Sequence, residues 1–166
     1  MNSRQGLWQN PAMRAGSRPS ASSLVATIRD ARRIAIRAGS APHRFTSVWA
    51  VVVGARVFVR SWSVKPRSWY RALLVEPHGV LQLKEREVRF RSVHTRGESV
   101  KAAVDQAYVL KYDHPGDIRY VKDMTGAKSR ATTSELVLEG LKADARRSRT
   151  GRAPRARAAS RPRSRA

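Results

Sequence analysis

Cysteine is absent from all 166 residues. That excludes disulfides, thiolate metal sites and a cysteine nucleophile. Acidic residues are scarce, with 12 Asp and Glu against 34 Lys and Arg, and the formal charge is +22. No apolar run approaches the ~18 residues that a membrane-spanning helix needs. The first twenty residues lack the continuous apolar core of a secretory signal, so a cytoplasmic location is expected. Neither GxGxxG nor GxxxxGK[ST] occurs, which removes the common phosphate-cradling loops. GxSxG is missing too, and with it the usual serine-hydrolase turn. The four histidines, His43, His78, His94 and His114, show no metal-ligand spacing. The sequence therefore assigns no catalytic residue and no metal.

The excess of positive charge is uneven. From Lys142 to the C-terminus nine arginines and one lysine face one acid, a net +9. Residues 1–20 carry three arginines and no acid, a net +3, which leaves +10 for residues 21–141. After Leu141 no apolar residue is larger than alanine, so 142–166 cannot bury a core and is expected to be disordered, as is 1–20. Such an arm is either a solvated tail or a weak, non-specific binder of nucleic acid. The length suits one domain, at 21–141, between two tails.

The richest stretch is 48–74, VWAVVVGARVFVRSWSVKPRSWYRALL. A run of β-formers, a break at Gly54-Ala55 and a second β-rich run predict a hairpin. In the second run Val57 and Val59 point one way, and Arg56, Phe58 and Arg60 the other. Ser68 precedes apolar residues at helical spacing, which predicts a capped helix over 68–75. Elsewhere the patterns predict a helix after Ser22 or Ser23 and strands at 32–37, 43–53 and 56–62. They also predict a hairpin of 79–83 with 87–93, a helix over 98–112 and a last strand over 131–138. The order α-β-β-β-α-β-β-α-β, with strands close in sequence, predicts an α+β fold: a small antiparallel barrel with peripheral helices.

Where the predicted hairpin ends and the helix begins, Arg60, Ser61, Trp69, Tyr70 and Arg71 combine anion-binding groups with aromatic faces. Guanidinium and hydroxyl groups suit a phosphate, and indole faces suit a flat ring. The competing reading makes Arg60 and Ser61 an exposed strand arginine and a turn serine, and Trp62 and Trp69 packing groups of a barrel rim. Tyr108, Lys111 and Tyr112 are read as one buried helix face, and Thr132 and Thr133 as strand formers. Tyr70 and His43 are the groups available for acid–base work.

The strings VWAVVVGARVFVRSW, SWYRALL, AVDQAYVLKY and RATTSELVL resemble the bacterial family known as domain of unknown function 2255, over residues 24–138. Matching positions are Phe58-Val59-Arg60-Ser61, Trp69-Tyr70-Arg71, then Asp105, Ala107, Tyr108, Lys111 and Tyr112, and finally Ala131-Thr132-Thr133. More distantly, the order of strand, Gly turn, strand ending in Ser, loop and Trp-Tyr helix is similar to deazaflavin-dependent nitroreductase-like proteins. That resemblance implies a split β-barrel, a flavin mononucleotide (FMN) or deazaflavin cofactor, oxidoreductase or cofactor-carrier activity, and a homodimer. The chain departs from that pattern upstream, where Pro42-His43-Arg44-Phe45-Thr46 replaces a basic Gly-rich entry. A non-catalytic basic module that binds nucleic acid or another polyanion is the alternative.

Overall fold

A computed structural model describes residues 20–140. The expected tails, 1–20 and 142–166, fall outside these residues apart from Ser20. Helix α1 (Ala21–Asp30) is followed by strands β1 (Ile34–Ala38), β2 (Thr46–Val48), β3 (Ala50–Val53) and β4 (Arg56–Val59). Then come α2 (Trp69–Val75), β5 (His78–Leu83), β6 (Arg86–His94), α3 (Glu98–Lys111), α4 (Ile118–Thr125), α5 (Ala127–Arg130) and β7 (Ser134–Leu138). The cap of α1 is Ser20, whose hydroxyl accepts the Ser23 N–H, rather than Ser22 or Ser23. The sequence pattern predicts neither α4 nor α5.

All seven strands form one antiparallel sheet in the order β2-β1-β5-β6-β7-β4-β3. Its two edges, β2 and β3, are halves of one extended segment interrupted only at Trp49. The first half pairs with β1 and the second with β4. The sheet therefore curls into a nearly closed barrel whose seam lies at Trp49. Closure removes the exposed edges of an open sheet. The predicted strand over 43–53 is thus two strands, because its halves serve different neighbours.

Side chains alternate through the seam without a slip. Val48, Ala50, Val57 and Val59 face the barrel interior, joined by Ile34, Ile36, Leu81, Phe90 and Leu136 and by Leu24, Val25 and Ile28 of α1. At Gly79 a Cβ would lie 2.5 Å from the Arg37 carbonyl oxygen and 2.6 Å from the Phe90 ring, so only glycine fits. The outward residues Trp49, Val51, Val53 and Phe58 are covered by α3 and α4. There they pack with Val104, Tyr108, Tyr112, Val121 and Met124. The molecule thus has two apolar layers that share the β3–β4 hairpin.

Candidate functional site

Arg60 extends the outward face of β4, and α3 and α4 cover that face. It is therefore not the exposed strand arginine that alternation suggested: it is fully buried. Its Nε donates to the Thr133 hydroxyl at 2.9 Å. One terminal nitrogen donates to the Asp105 carboxylate and, at 2.8 Å, to the Met124 carbonyl. The other donates to the Lys101 carbonyl at 3.0 Å. Asp105 is shared with Arg130, which also pairs with Glu98, and Glu98 pairs in turn with Lys101. A buried guanidinium needs such partners, since an unpaired one is costly.

Ser61 is buried beside it. Its N–H donates to the Thr132 hydroxyl at 2.8 Å, and its own hydroxyl donates to the Ser63 carbonyl at 2.7 Å. Thr132 and Thr133, read from sequence as strand formers, precede β7 and fasten the end of β4 through their hydroxyls. Polar β-branched residues before a strand carry no local signal for that task.

The end of β4, the seam and the loop before α2 enclose a cleft of about 590 Å³. Of the residues singled out in the sequence, Arg60, Ser61 and Trp69 line it. Sequence reading missed Arg33, Lys65, Arg67, Trp49 and Tyr120, which also line it. The last two belong to a ladder of rings. Tyr108 stacks on Tyr112 (centroids 5.9 Å apart), Tyr112 lies parallel to Trp49 (4.0 Å), and Tyr120 meets Trp49 (6.1 Å) and Trp62 (6.4 Å) edge-on. Trp62, at the open end, is 60% exposed. The cations Arg33, Lys65 and Arg67 are exposed at the cleft, so its available positive charge comes from them and not from Arg60.

The other two expected site residues lie elsewhere. Arg71 lines a second cleft, which shares Arg67 and Ser68 with the first, and its Nε donates to the Val64 carbonyl at 3.2 Å. Tyr70 lines neither cleft; it contacts Trp69 and His94. His43 is in the second cleft, with Nε2 2.8 Å from the Ala38 carbonyl oxygen. Helix α2 puts successive residues about 100° apart, so Trp69, Tyr70 and Arg71 cannot face one point.

The covering layer shifts several titrations. Burial pushes the Tyr108 and Tyr112 phenols well above their ordinary range. Lys111 donates to the Ile28 and Ala50 carbonyls, and burial lowers its ammonium to about 8. His94 is lowered first by burial and then by the charges of Lys101 and Arg96. Among the described residues no group of three His, Cys, Asp or Glu side chains could hold a metal, and no helix is long and apolar enough to cross a membrane.

Comparison with curated proteins finds no match. Among solved structures, the conserved hypothetical protein Rv2991 from Mycobacterium tuberculosis superimposes with a TM-score of 0.51. The match covers 74% of this chain and 82% of that one at 14% identity, so the likeness is one of fold alone. Residues 24–136 match the family described as "Uncharacterized protein conserved in bacteria (DUF2255)", a span that takes in β1 to β6, the start of β7, the covering helices and the first cleft. The chain belongs to that family.

Proposed function

We propose that the cleft at the barrel seam binds a planar ring with an anionic tail, of the FMN or deazaflavin class, and that the protein is an oxidoreductase or a carrier of that cofactor. The observation that carries this reading is the pairing, in one cleft, of ring faces from Trp49, Trp62 and Tyr120 with the exposed cations Arg33, Lys65 and Arg67. Stacking suits the ring, and guanidinium and ammonium groups suit the phosphate. The volume falls in the usual range for small-molecule sites. Thr46, Ser47 and Ser68 add hydroxyls at the same walls.

In this reading Lys65 and Arg67 hold the phosphate, and Trp62 and Tyr120 flank the ring. Arg60 and Ser61 shape the floor through their internal bonds, while Tyr70 and Arg71 act from outside the cleft. A bound flavin or deazaflavin would supply hydride chemistry, and the protein would orient its ring and shield one face.

Titration calorimetry of the full chain with FMN and with a deazaflavin mononucleotide tests the reading. The expected result is micromolar or tighter binding, weakened at least tenfold in Lys65→Ala/Arg67→Ala, since each charged contact is worth about 1.5–3 kcal/mol. Absence of heat and of any tryptophan fluorescence change with both ligands refutes it.

A second reading rests on the +22 charge, of which +9 lies after Leu141. It is a weak, non-specific interaction with nucleic acid through counterion release. Truncation at Gly140 should abolish most DNA retention at physiological salt. Undiminished retention would move the polyanion contact onto the barrel itself.

A further inference from the structure

We infer that the second cleft, between α2 and the β1–β2 loop, is a site for a small organic monoanion with an apolar body, of the medium-chain carboxylate class. The cleft is about 680 Å³ and meets the first at Arg67 and Ser68, which line both. Three observations converge on this ligand chemistry.

The first is unused positive charge. Arg71 commits only its Nε, so both terminal nitrogens are available. Arg67 makes no hydrogen bond or ion pair to any described residue, although it sits at the junction of both clefts. A fork of guanidinium donors is matched to a carboxylate.

The second is apolar surface at the same place. Leu74 is 49% and Val75 88% exposed, and both line the cleft with Ala72 and Pro66. A single exposed leucine is ordinary. Two large aliphatic side chains beside uncommitted guanidiniums, within one concavity, suit a ligand with a charged head and an apolar body.

The third is the opposite charge of Glu76. Its carboxylate accepts the Ser40 hydroxyl at 3.2 Å and lies against Gly39. It repels a second anionic group, which favours a monocarboxylate over a dicarboxylate. Among the described residues the cleft has none of the ring faces of the first: His43 alone is aromatic in its lining, and both ring nitrogens of His43 approach backbone carbonyls. A nucleotide is therefore a poor match here, and Arg71, which lines the second cleft and not the first, keeps a free guanidinium fork for the carboxylate even where a flavin phosphate takes Arg67.

The test uses octanoate as the probe and the full chain, with titration calorimetry and NMR of the methyl groups and tryptophan indoles. Saturable octanoate binding is expected, with shifts at the Leu74 and Val75 methyls. It should weaken at least tenfold in Arg67→Gln/Arg71→Gln, a variant of two exposed residues that should keep the wild-type circular dichroism. 1-Octanol and suberate should bind at least tenfold more weakly than octanoate, and Glu76→Gln should narrow the gap for suberate. Octanol binding as tightly as octanoate, undiminished binding by the double variant, shifts confined to the Trp49 and Trp62 indoles, or no saturable binding would each overturn the inference.

Discussion

The two apolar layers are built on different principles although they share one hairpin. The barrel interior is lined mainly by aliphatic side chains and Phe90, with the buried hydroxyl of Ser134 opposite Val59. The layer under α3 and α4 mixes Phe58 and Val104 with Tyr108 and Tyr112 and borders the buried Arg60. No buried side-chain nitrogen or oxygen among the described residues lacks a partner. An aliphatic interior sets volume and tolerates exchange of similar shapes. A polar layer is directional: each donor specifies a partner, and losing one partner strands another. The interior thus makes a barrel, while the outer layer fixes where α3 and α4 sit on it. The first cleft borders the outer layer through Trp49, Arg60, Tyr120 and Met124.

The sharpest way to break the contrast is to remove the hub of the polar layer. Arg60→Ala leaves Asp105, the Met124 and Lys101 carbonyls and the Thr133 hydroxyl short of donors, and should cost about 3–5 kcal/mol in urea denaturation. In the interior, Ile36→Val trims one methylene from a fully buried side chain and should cost only about 0.5–1.5 kcal/mol. Equal losses would erase the distinction between the layers.

A pH experiment sharpens it further. Lys111 is lowered by burial to about 8, against about 10.5 in the unfolded chain. Between those values the unfolded state holds the extra proton, so stability rises with pH across that window. Below about 8 the cost of burying the ammonium is present in full. Tyr108 and Tyr112 act in the opposite sense: their phenols stay protonated in the fold, so the stability they contribute is lost as pH climbs above about 10. Comparing wild type with Lys111→Met from pH 7 to 10 isolates the lysine. The wild type should gain on the variant by up to about 1 kcal/mol, reduced from the full linkage value because the ammonium is only half-buried. A flat difference would show that its donation to Ile28 and Ala50 offsets desolvation in full.

The same two layers explain what the sequence could and could not disclose. Period-2 alternation read Val57 and Val59 as inward and Phe58 and Arg60 as outward, and the structure agrees. Alternation reports only which side of the sheet a residue takes, not whether that side is covered. Phe58 carried the missing signal: opposite Val51 in register, it makes the outward face apolar, which calls for a covering layer. The cap at Ser68 and the helix after it were legible from local chemistry alone. Helix α4 was not, because its burial rests on Val121 and Met124 within eight residues, flanked by Gly116 and Gly126. The split of strand 43–53 left no local mark, since a bend at Trp49 follows from which strands its halves pair with. Four of the cleft's lining residues, Arg33, Trp49, Lys65 and Tyr120, come from three separate connections and from α4, so only the closed barrel could assemble them.

The smallest effect on stability is expected at Trp62, which makes it the cleanest probe of the cleft. It lies outside both layers, is 60% exposed, and among the described residues its one ring contact is the edge of Tyr120. A large apolar side chain left in water at a cleft mouth adds little to folding, so Trp62→Ala should change the unfolding free energy by no more than about 0.5 kcal/mol. Its loss nevertheless removes one of the faces on which a planar ring would stack, and aromatic pairs are worth about 0.5–1.5 kcal/mol beyond area burial. FMN or deazaflavin affinity should therefore fall several-fold while the melting temperature stays within about two degrees. Arg60→Ala would lower affinity and stability together, because Arg60 shapes the floor from within the fold. If Trp62→Ala instead destabilises the protein as strongly as an interior substitution, Trp62 belongs to the packing of the barrel rim rather than to a ligand site.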